Sequence, residues 1–545
     1  MKKHLIRIMI IAGLTGSLAS CKKDLDLLPT NDITAEQVYA TPMGYTQAMA
    51  KIYGGFALSG NDGPAGNNDL QGVPDEGNYA GFLRTFWYLQ ELPTDEAVIA
   101  WGDAGLQDFK GMNWSSDNPA IVGQYYRSLY QITLVNDFLR QSTDAKLGDR
   151  GISGADADKI RQFRSEARFL RAFSYWVLMD LYGNPPFITE NEALGSSLPK
   201  QISRAELFNY VETELKAIEG ELAEPKSNEY GRADKAAAWA LLARIYLNAK
   251  VYSGTEKYTD AITYASKVIN GGYSLLSNYR HLLLADNNVS NPEFIFTINY
   301  DGVNTKSYGG MTFFTHASFG GDNSGMPAAS VGIDGRWGGI RTTPDLANLF
   351  PDYGEPDYNA FPANYNNAAA IDNRAQFWLQ GMNPDVEKLT NFEDGIGVVK
   401  FRNVKRDNST GKDLAHSDAD FPVFRLAEMY LIYAEAVLRG GTGGTLPQAI
   451  QYINTLRERA YRNQTGNVSS INLDFILNER ARELYWEGHR RTDLVRYNKF
   501  TGDAYLWVWK GGVKSGRGVP ATRALYPLPS ADITVNPNLK QNQDY

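Results

Sequence analysis

Residues 231–247 read GRADKAAAWALLARIYL, and this stretch decides the fold class. Its apolar residues recur at intervals of three and four, which is the period of an amphipathic helix. Asp234 stands just before the apolar run, where its carboxylate can accept hydrogen bonds from the first helical N–H groups. The stretch therefore predicts a helix over about 234–250.

The same period predicts seven further helices, over about 120–141, 156–182, 203–223, 257–270, 424–438, 446–461 and 472–488. Stop signals lie at their ends, in Gly183 before Pro185-Pro186 and in Gly440-Gly441. Large and small residues follow the tetratricopeptide pattern at Trp239, Leu242, Ala243, Tyr246, Ala261 and Ala265, and more weakly at Tyr430, Tyr433, Ala434, Ala449 and Ile453. We therefore expect a mostly α fold built from tetratricopeptide-like helix pairs at irregular intervals.

The helical signal stops between about 291 and 420, where Gly, Asn, Asp and aromatic residues become frequent. Residues 301–345 contain 10 glycines in 45 positions, against 51 in 545 for the whole chain, so this region is rich in turns. Short runs at 293–299 and 397–401 resemble strands, and a second loop-rich stretch covers 60–114. Long irregular segments of this kind usually carry function.

The only cysteine, Cys21, follows a basic start and a short apolar run over 8–18 that matches a signal peptide. Leu18-Ala19-Ser20-Cys21 resembles the lipobox of bacterial lipoproteins, in which the cysteine sulfur is acylated after cleavage. An ordinary signal peptide with a chance cysteine is the alternative. We expect residues 1–20 to be the signal peptide and 21–545 one domain. In that domain, 31–290 and 421–500 form the scaffold, 291–420 the insertion and 501–545 a wrapping tail.

Charge and motifs exclude several classes of protein. The formal charge is −8, and cleavage after residue 20 would make it −11, which disfavours a nucleic-acid partner. The five histidines show no zinc-ligand spacing, and neither a phosphate-binding glycine loop nor a G-x-S-x-G elbow is present. We predict no cofactor and no metal, although the Asp and Asn residues of the insertion leave a structural calcium ion open. The many carboxylates also leave a glycosidase pair open.

The segment from Glu479 to Arg496 alternates acidic and basic residues three and four apart, which favours packing through ion pairs. Together with other segments it resembles the SusD/RagB family, lipid-anchored glycan-binding proteins of Bacteroidetes outer membranes. The segments that carry this resemblance are the lipobox, 91–96 (ELPTDE), 169–172 (FLRA) with Tyr182-Gly183, 231–236 (GRADKA), 479–496 and the Pro-Asn tail.

The resemblance implies a non-catalytic, cell-surface lipoprotein of the outer membrane that captures starch-type α-glucan oligosaccharides. It also implies a partner, a SusC-like TonB-dependent transporter that receives the glycan. Relatives of the RagB type imply an alternative cargo, either another glycan or peptides, and a glycoside hydrolase remains as a third hypothesis.

The family's starch-binding founding member holds its ligand on an arc of aromatic side chains. By position in the matching segments, Trp101, Tyr308 and Trp337 correspond to that arc, and Arg84 corresponds to its arginine. The arc's asparagine is missing, because Ala104 stands there and Asp103 is the nearest polar residue; Ile99 replaces a further aromatic residue. We therefore predict a glycan site formed by Trp101, Tyr308, Trp337, Arg84 and Asp103. For Arg84, an ion pair with Asp75 or Glu76 is the alternative role.

Overall fold

The structure is a computed structural model that describes residues 34–65, 67–74, 79–192, 195, 198–350, 353 and 371–545. The predicted signal peptide and Cys21 lie outside the described residues. Within them, none of the helices combines the length and the apolar content needed to cross a membrane.

The fold is mostly helical. The α-helices of the described chain are Ala35–Val38, Pro42–Ala57, Phe82–Glu91, Leu106–Gly111, Pro119–Gln141, Asp144–Asp149, Gly154–Leu181, Arg204–Ile218, Lys235–Leu247, Ala249–Ser253, Tyr258–Ile269, Met311–Ala317, Pro344–Ala347, Leu426–Leu438, Leu446–Tyr461, Leu473–Leu484, Arg490–Arg496 and Ser530–Val535. Asp234 caps its helix as predicted, accepting a hydrogen bond from the backbone N of Ala237 at 3.1 Å.

Neighbouring helices pack as pairs. Pro119–Gln141 packs on Gly154–Leu181, Lys235–Leu247 packs on Tyr258–Ile269, and Leu426–Leu438 packs on Leu446–Tyr461. Tyr258–Ile269 also packs on Leu426–Leu438, so the helical scaffold continues across the insertion. One apolar core runs through these helices and includes part of the insertion.

The two ends of the insertion are held together by a short antiparallel sheet. Strand Phe294–Ile298 pairs with Phe421–Arg425, with Phe294 opposite Arg425 and Ile298 opposite Phe421. Three two-residue pairings complete the strands of the described chain: Val98–Ile99 with Ile340–Arg341, Pro186–Phe187 with Lys200–Gln201, and Phe377–Trp378 with Gly397–Val398. The insertion therefore leaves and rejoins the scaffold at one place.

Two differences from the sequence-based helices have physical causes. Phe82–Glu91 lies in the stretch predicted to be loop-rich, but it is a helix whose ten residues are all buried. The helix predicted over 472–488 ends at Leu484, because Tyr485 turns out of the helical conformation with a ψ of 139° and Trp486 has a φ of 64°. In this turn, the backbone N of Trp486 donates to Glu96 and that of Gly488 donates to Glu91.

The alternating charges of 479–496 form buried ion pairs between distant segments. Arg425 bridges Glu483 at 2.7 Å and Glu293 at 2.9 Å, and Arg374 contacts Glu483 at 3.2 Å. Burial alone would raise the pKa of Glu483, but Arg459, Arg425 and Arg374 outweigh it and lower that pKa to about 2. The sequence interpretation expected ion pairs that fix helix packing, and the structure shows that these charges also join the insertion to the C-terminal helices.

The C-terminal tail wraps over the scaffold, with a short helix at Ser530–Val535. Tyr526 donates its backbone N–H to Leu181 O at 2.8 Å and its hydroxyl to Leu89 O at 2.6 Å. Asn542 donates to Tyr182 O at 2.8 Å. These bonds satisfy backbone carbonyls at the ends of two buried helices, which ties the tail down.

Candidate functional site

The five residues predicted to form the site line one open cavity of about 520 Å³. Asp334 and Ala415 line the same cavity, although the sequence interpretation had named neither. The cavity lies where helix Phe82–Glu91 and the segment after it meet three loops of the insertion.

Trp101 is positioned by the pairing of Val98–Ile99 with Ile340–Arg341. The backbone N of Ala100 donates to Gly339 O at 2.8 Å, which extends this pairing to the residue before Trp101. The indole Nε1 of Trp101 then donates to Trp337 O at 3.1 Å. A Cβ at Gly339 would lie 2.6 Å from the Trp101 ring, so only glycine leaves room for the indole there.

Trp337 and Tyr308 stand on the insertion at an angle to one another. Their ring centroids are 6.0 Å apart with planes inclined by 68°, and the Trp101 and Trp337 centroids are 6.4 Å apart with an inclination of 44°. Each of these two insertion rings is supported by a buried histidine: His316 lies 4.7 Å from Trp337, and His416 stacks on Tyr308 at 5.4 Å. The three partly exposed aromatic rings thus form an angled rather than a flat surface.

Arg84 lies behind this surface and connects its parts. Its Nε donates to the Tyr88 hydroxyl at 2.7 Å, and one terminal nitrogen donates to Tyr308 O at 3.2 Å. The guanidinium also lies over the ring of Trp101, with its carbon 5.1 Å from the centroid. No carboxylate of the described residues forms a salt bridge with Arg84, and the partners considered from sequence, Asp75 and Glu76, lie outside those residues.

The two departures from the family arc have distinct environments. Ile99 is buried in its strand pairing and contributes no ring to the cavity. Ala104 is exposed, and its carbonyl accepts a hydrogen bond from the Tyr79 hydroxyl at 2.8 Å. Asp103 is exposed and lines the cavity, so a carboxylate stands near the position of the missing amide.

Sequence reasoning missed Asp334, His316 and His416. Asp334 precedes Trp337 by three residues, so its closeness in sequence to a predicted site residue was an available signal. The histidines carried no such signal, because their role depends on which rings pack against them. Within the described chain, no group of three or more His, Cys, Asp or Glu side chains could hold a metal ion.

The carboxylates with raised pKa values lie away from the cavity. Burial raises the pKa of Glu91 well above its ordinary range and that of Glu96 to about 7. Both side chains are fully buried, at 0% and 2% exposure, so neither can reach a bound glycan. This pair therefore offers no acid and base for glycoside hydrolysis.

Comparisons with known proteins concern the family to which the chain belongs. A family model described as SusD family matches residues 292–545, and one described as starch-binding associating with outer membrane matches residues 86–247. The chain is 36% identical to the starch-binding protein SusD of Bacteroides thetaiotaomicron, over 100% of this chain and 99% of that protein. It is 26% identical to the SusD-like protein P25 of Formosa agariphila, over 98% of each.

Among solved structures, the fold is similar to surface glycan-binding protein A from Bacteroides thetaiotaomicron in complex with laminarihexaose. The TM-score is 0.65 at 19% identity, covering 92% of this chain and 99% of that one. Fold and sequence together define a carbohydrate-binding protein that is not an enzyme. The chain belongs to the SusD family.

Proposed function

We propose that this protein binds starch-type α-glucan oligosaccharides in the cavity formed by Trp101, Tyr308, Trp337, Arg84 and Asp103. The observation that carries the proposal is the convergence of three partly exposed, mutually inclined aromatic rings on one open cavity. Sugars present flat C–H faces that stack on aromatic rings, and hydroxyls at their edges that polar side chains can bind. The relative with 36% identity is itself named a starch-binding protein, which supports this cargo.

The angles between the rings favour a curved ligand. A straight glycan chain would stack best on aromatic rings that lie in one plane. The ring planes here are inclined by 44° and 68°, which suits a chain that turns from one sugar to the next. An α-glucan such as amylose coils in this way. Arg84 maintains the arrangement, because it bonds to the backbone of Tyr308 and lies over the ring of Trp101.

We further propose that the protein associates with the outer membrane through lipid on Cys21, faces the cell surface, and delivers its glycan to a SusC-like TonB-dependent transporter. A matching family model is described as associating with outer membrane, and Leu18-Ala19-Ser20-Cys21 resembles a lipobox. The proposed function requires neither a cofactor nor a metal.

Native affinity electrophoresis of residues 22–545 tests the cargo. Gels contain amylopectin, pullulan, dextran, laminarin, inulin or xylan, and we expect retardation in amylopectin and pullulan only. Retardation in a different glycan would support a glycan-binding protein but exclude starch as its ligand. Retardation in none of the gels would favour a peptide cargo. Release of reducing ends by the purified protein would contradict a purely binding role.

Single substitutions test the site. Trp101→Ala, Tyr308→Ala and Trp337→Ala should each weaken glycan binding by about tenfold, because each removes one stacking ring. Trp239→Ala is the matched control, since this partly exposed indole lies on helix Lys235–Leu247, outside the cavity lining. If all three site variants are folded and bind as tightly as the control, the site assignment is wrong.

A further inference from the structure

Asp334 places a carboxylate at the edge of the aromatic surface. Its side chain is 56% exposed, and the residue lines the same cavity as Trp337 and Tyr308. Its Oδ1 lies 3.3 Å from His316 Nε2, while Oδ2 has no hydrogen-bond partner among the described residues. One oxygen is therefore held by the protein and the other can accept a hydrogen bond from a ligand.

His316 fixes Asp334 and Trp337 at the same time. Its ring is fully buried 4.7 Å from the Trp337 ring, and its backbone carbonyl accepts a hydrogen bond from the N of Trp337 at 3.0 Å. The oxygens that face Nε2 are Leu414 O at 3.1 Å and the Asp334 carboxylate, which are both acceptors. Nδ1 faces Thr312 O at 3.0 Å and the Thr315 hydroxyl at 3.2 Å. In the tautomer that carries its hydrogen on Nε2, the imidazole donates to Asp334, and Nδ1 can accept from the Thr315 hydroxyl.

The charges at the cavity favour an uncharged ligand. Asp103 and Asp334 contribute two carboxylates. Arg84, the one cation among the described residues that line the cavity, already donates to Tyr88 and to Tyr308 O. A sugar hydroxyl can donate to a carboxylate, but a uronate or sulfate group has no hydrogen to donate and would be repelled. Selection of this kind works through an unfavourable contact with the wrong ligand as much as through a favourable one with the right ligand.

We propose that Asp334 is a specificity-determining residue: it accepts hydrogen bonds from hydroxyls of a neutral sugar stacked on Trp337 and rejects glycans that carry carboxylate or sulfate groups there. His316 acts as a positioning residue for Asp334. This proposal rests on the proposed glycan-binding function and adds to it a choice between neutral and anionic glycans.

The test uses two ligands that differ only at C6, where one carries a hydroxyl and the other a carboxylate. Binding of amylopectin, and of the same amylopectin oxidised at C6 to the uronate, is measured by calorimetry with residues 22–545. The wild-type protein should bind the neutral form at least about tenfold more tightly. Asp334→Asn keeps an acceptor oxygen but removes the charge, so the ratio of affinities should fall several-fold toward one.

Two controls separate this effect from general charge and from folding. Glu387→Gln removes an equal charge from a half-exposed side chain outside the cavity lining, and it should leave the ratio unchanged. His316→Ala should lower the ratio, while His316→Gln, which keeps an N–H donor, should restore part of it.

The outcomes distinguish the two proposals. If the wild-type protein binds neutral amylopectin but Asp334→Asn leaves the ratio unchanged, the role of Asp334 is refuted while glycan binding stands. Equal binding of both ligands by the wild-type protein refutes it too. A wild-type protein that binds neither form overturns both proposals.

Discussion

Glu91 and Glu96 form a buried acid pair whose proton should control stability. Glu91 Oε1 accepts hydrogen bonds from the backbone N of Gly488 at 2.7 Å and of His489 at 3.0 Å, and Glu96 accepts one from Trp486 N at 3.1 Å. Burial and the neighbouring Glu96 carboxyl both raise the pKa of Glu91, so the pair retains a proton in the folded protein. Glu91→Gln supplies that hydrogen from an amide, so the pair no longer needs the proton.

The sign and size of the effect on the free energy of unfolding follow from the raised pKa values, which belong to the pair rather than to either residue alone. Burial holds the pKa of Glu91 well above its ordinary value and raises that of Glu96 from 4.5 to about 7. The folded state thus keeps a proton that the unfolded chain releases above pH 4.5. Stability from this source is complete below pH 4.5 and falls as pH rises, by about 1.4 kcal/mol per pH unit for each proton that only the folded state retains.

The assay is urea unfolding of residues 22–545 and of Glu91→Gln at pH 5, 6, 7 and 8. The variant should gain stability relative to the wild-type protein as pH rises, by about 1.4 kcal/mol per pH unit while the wild-type pair retains one proton more than the unfolded chain. Glu387→Gln serves as the control, because it removes a carboxylate from the surface. Its free energy of unfolding should not rise with pH relative to that of the wild-type protein. A difference between Glu91→Gln and wild type that stays constant with pH would refute the shared proton.

Three further predictions concern the site, the ion-pair network and the anchor. Gly339→Ala should displace the Trp101 indole, because the new Cβ would lie 2.6 Å from that ring. Retardation by amylopectin should weaken while the circular dichroism spectrum stays the same. Unchanged retardation would contradict the close contact. Glu483→Ala should lower the free energy of unfolding by about 3 kcal/mol, because it removes the carboxylate that three buried arginines share. Glu387→Ala, which breaks an exposed pair with Lys514, should cost less than about 1 kcal/mol, and equal losses in urea unfolding would argue against the network. Cys21→Ser should abolish palmitate labelling and release the protein from the membrane fraction, and labelling that persists would exclude Cys21 as the lipidated residue.

Local signals in the sequence predicted most of the helical scaffold. Helices such as Pro119–Gln141 and Lys235–Leu247 lie within a few residues of their predicted ranges, because apolar period and capping act over a few neighbouring residues. The sequence did not predict helix Phe82–Glu91, because the same local signals are absent there. All ten of its residues are buried, including Arg84 and Glu91, so polar residues did not mark an outward face, and Gly81 offers no capping side chain.

Family resemblance in the sequence named the aromatic residues of the site, but not their arrangement. Trp101 and Trp337 are 236 residues apart, and they meet because two short strands pair and the intervening backbone continues that pairing through Ala100 and Gly339. The inclination of the rings, the histidines behind them and the free oxygen of Asp334 depend on contacts between separate loops. Amphipathic periods are local and can be read along the chain, whereas the position and chemistry of a cavity arise only when distant segments pack together.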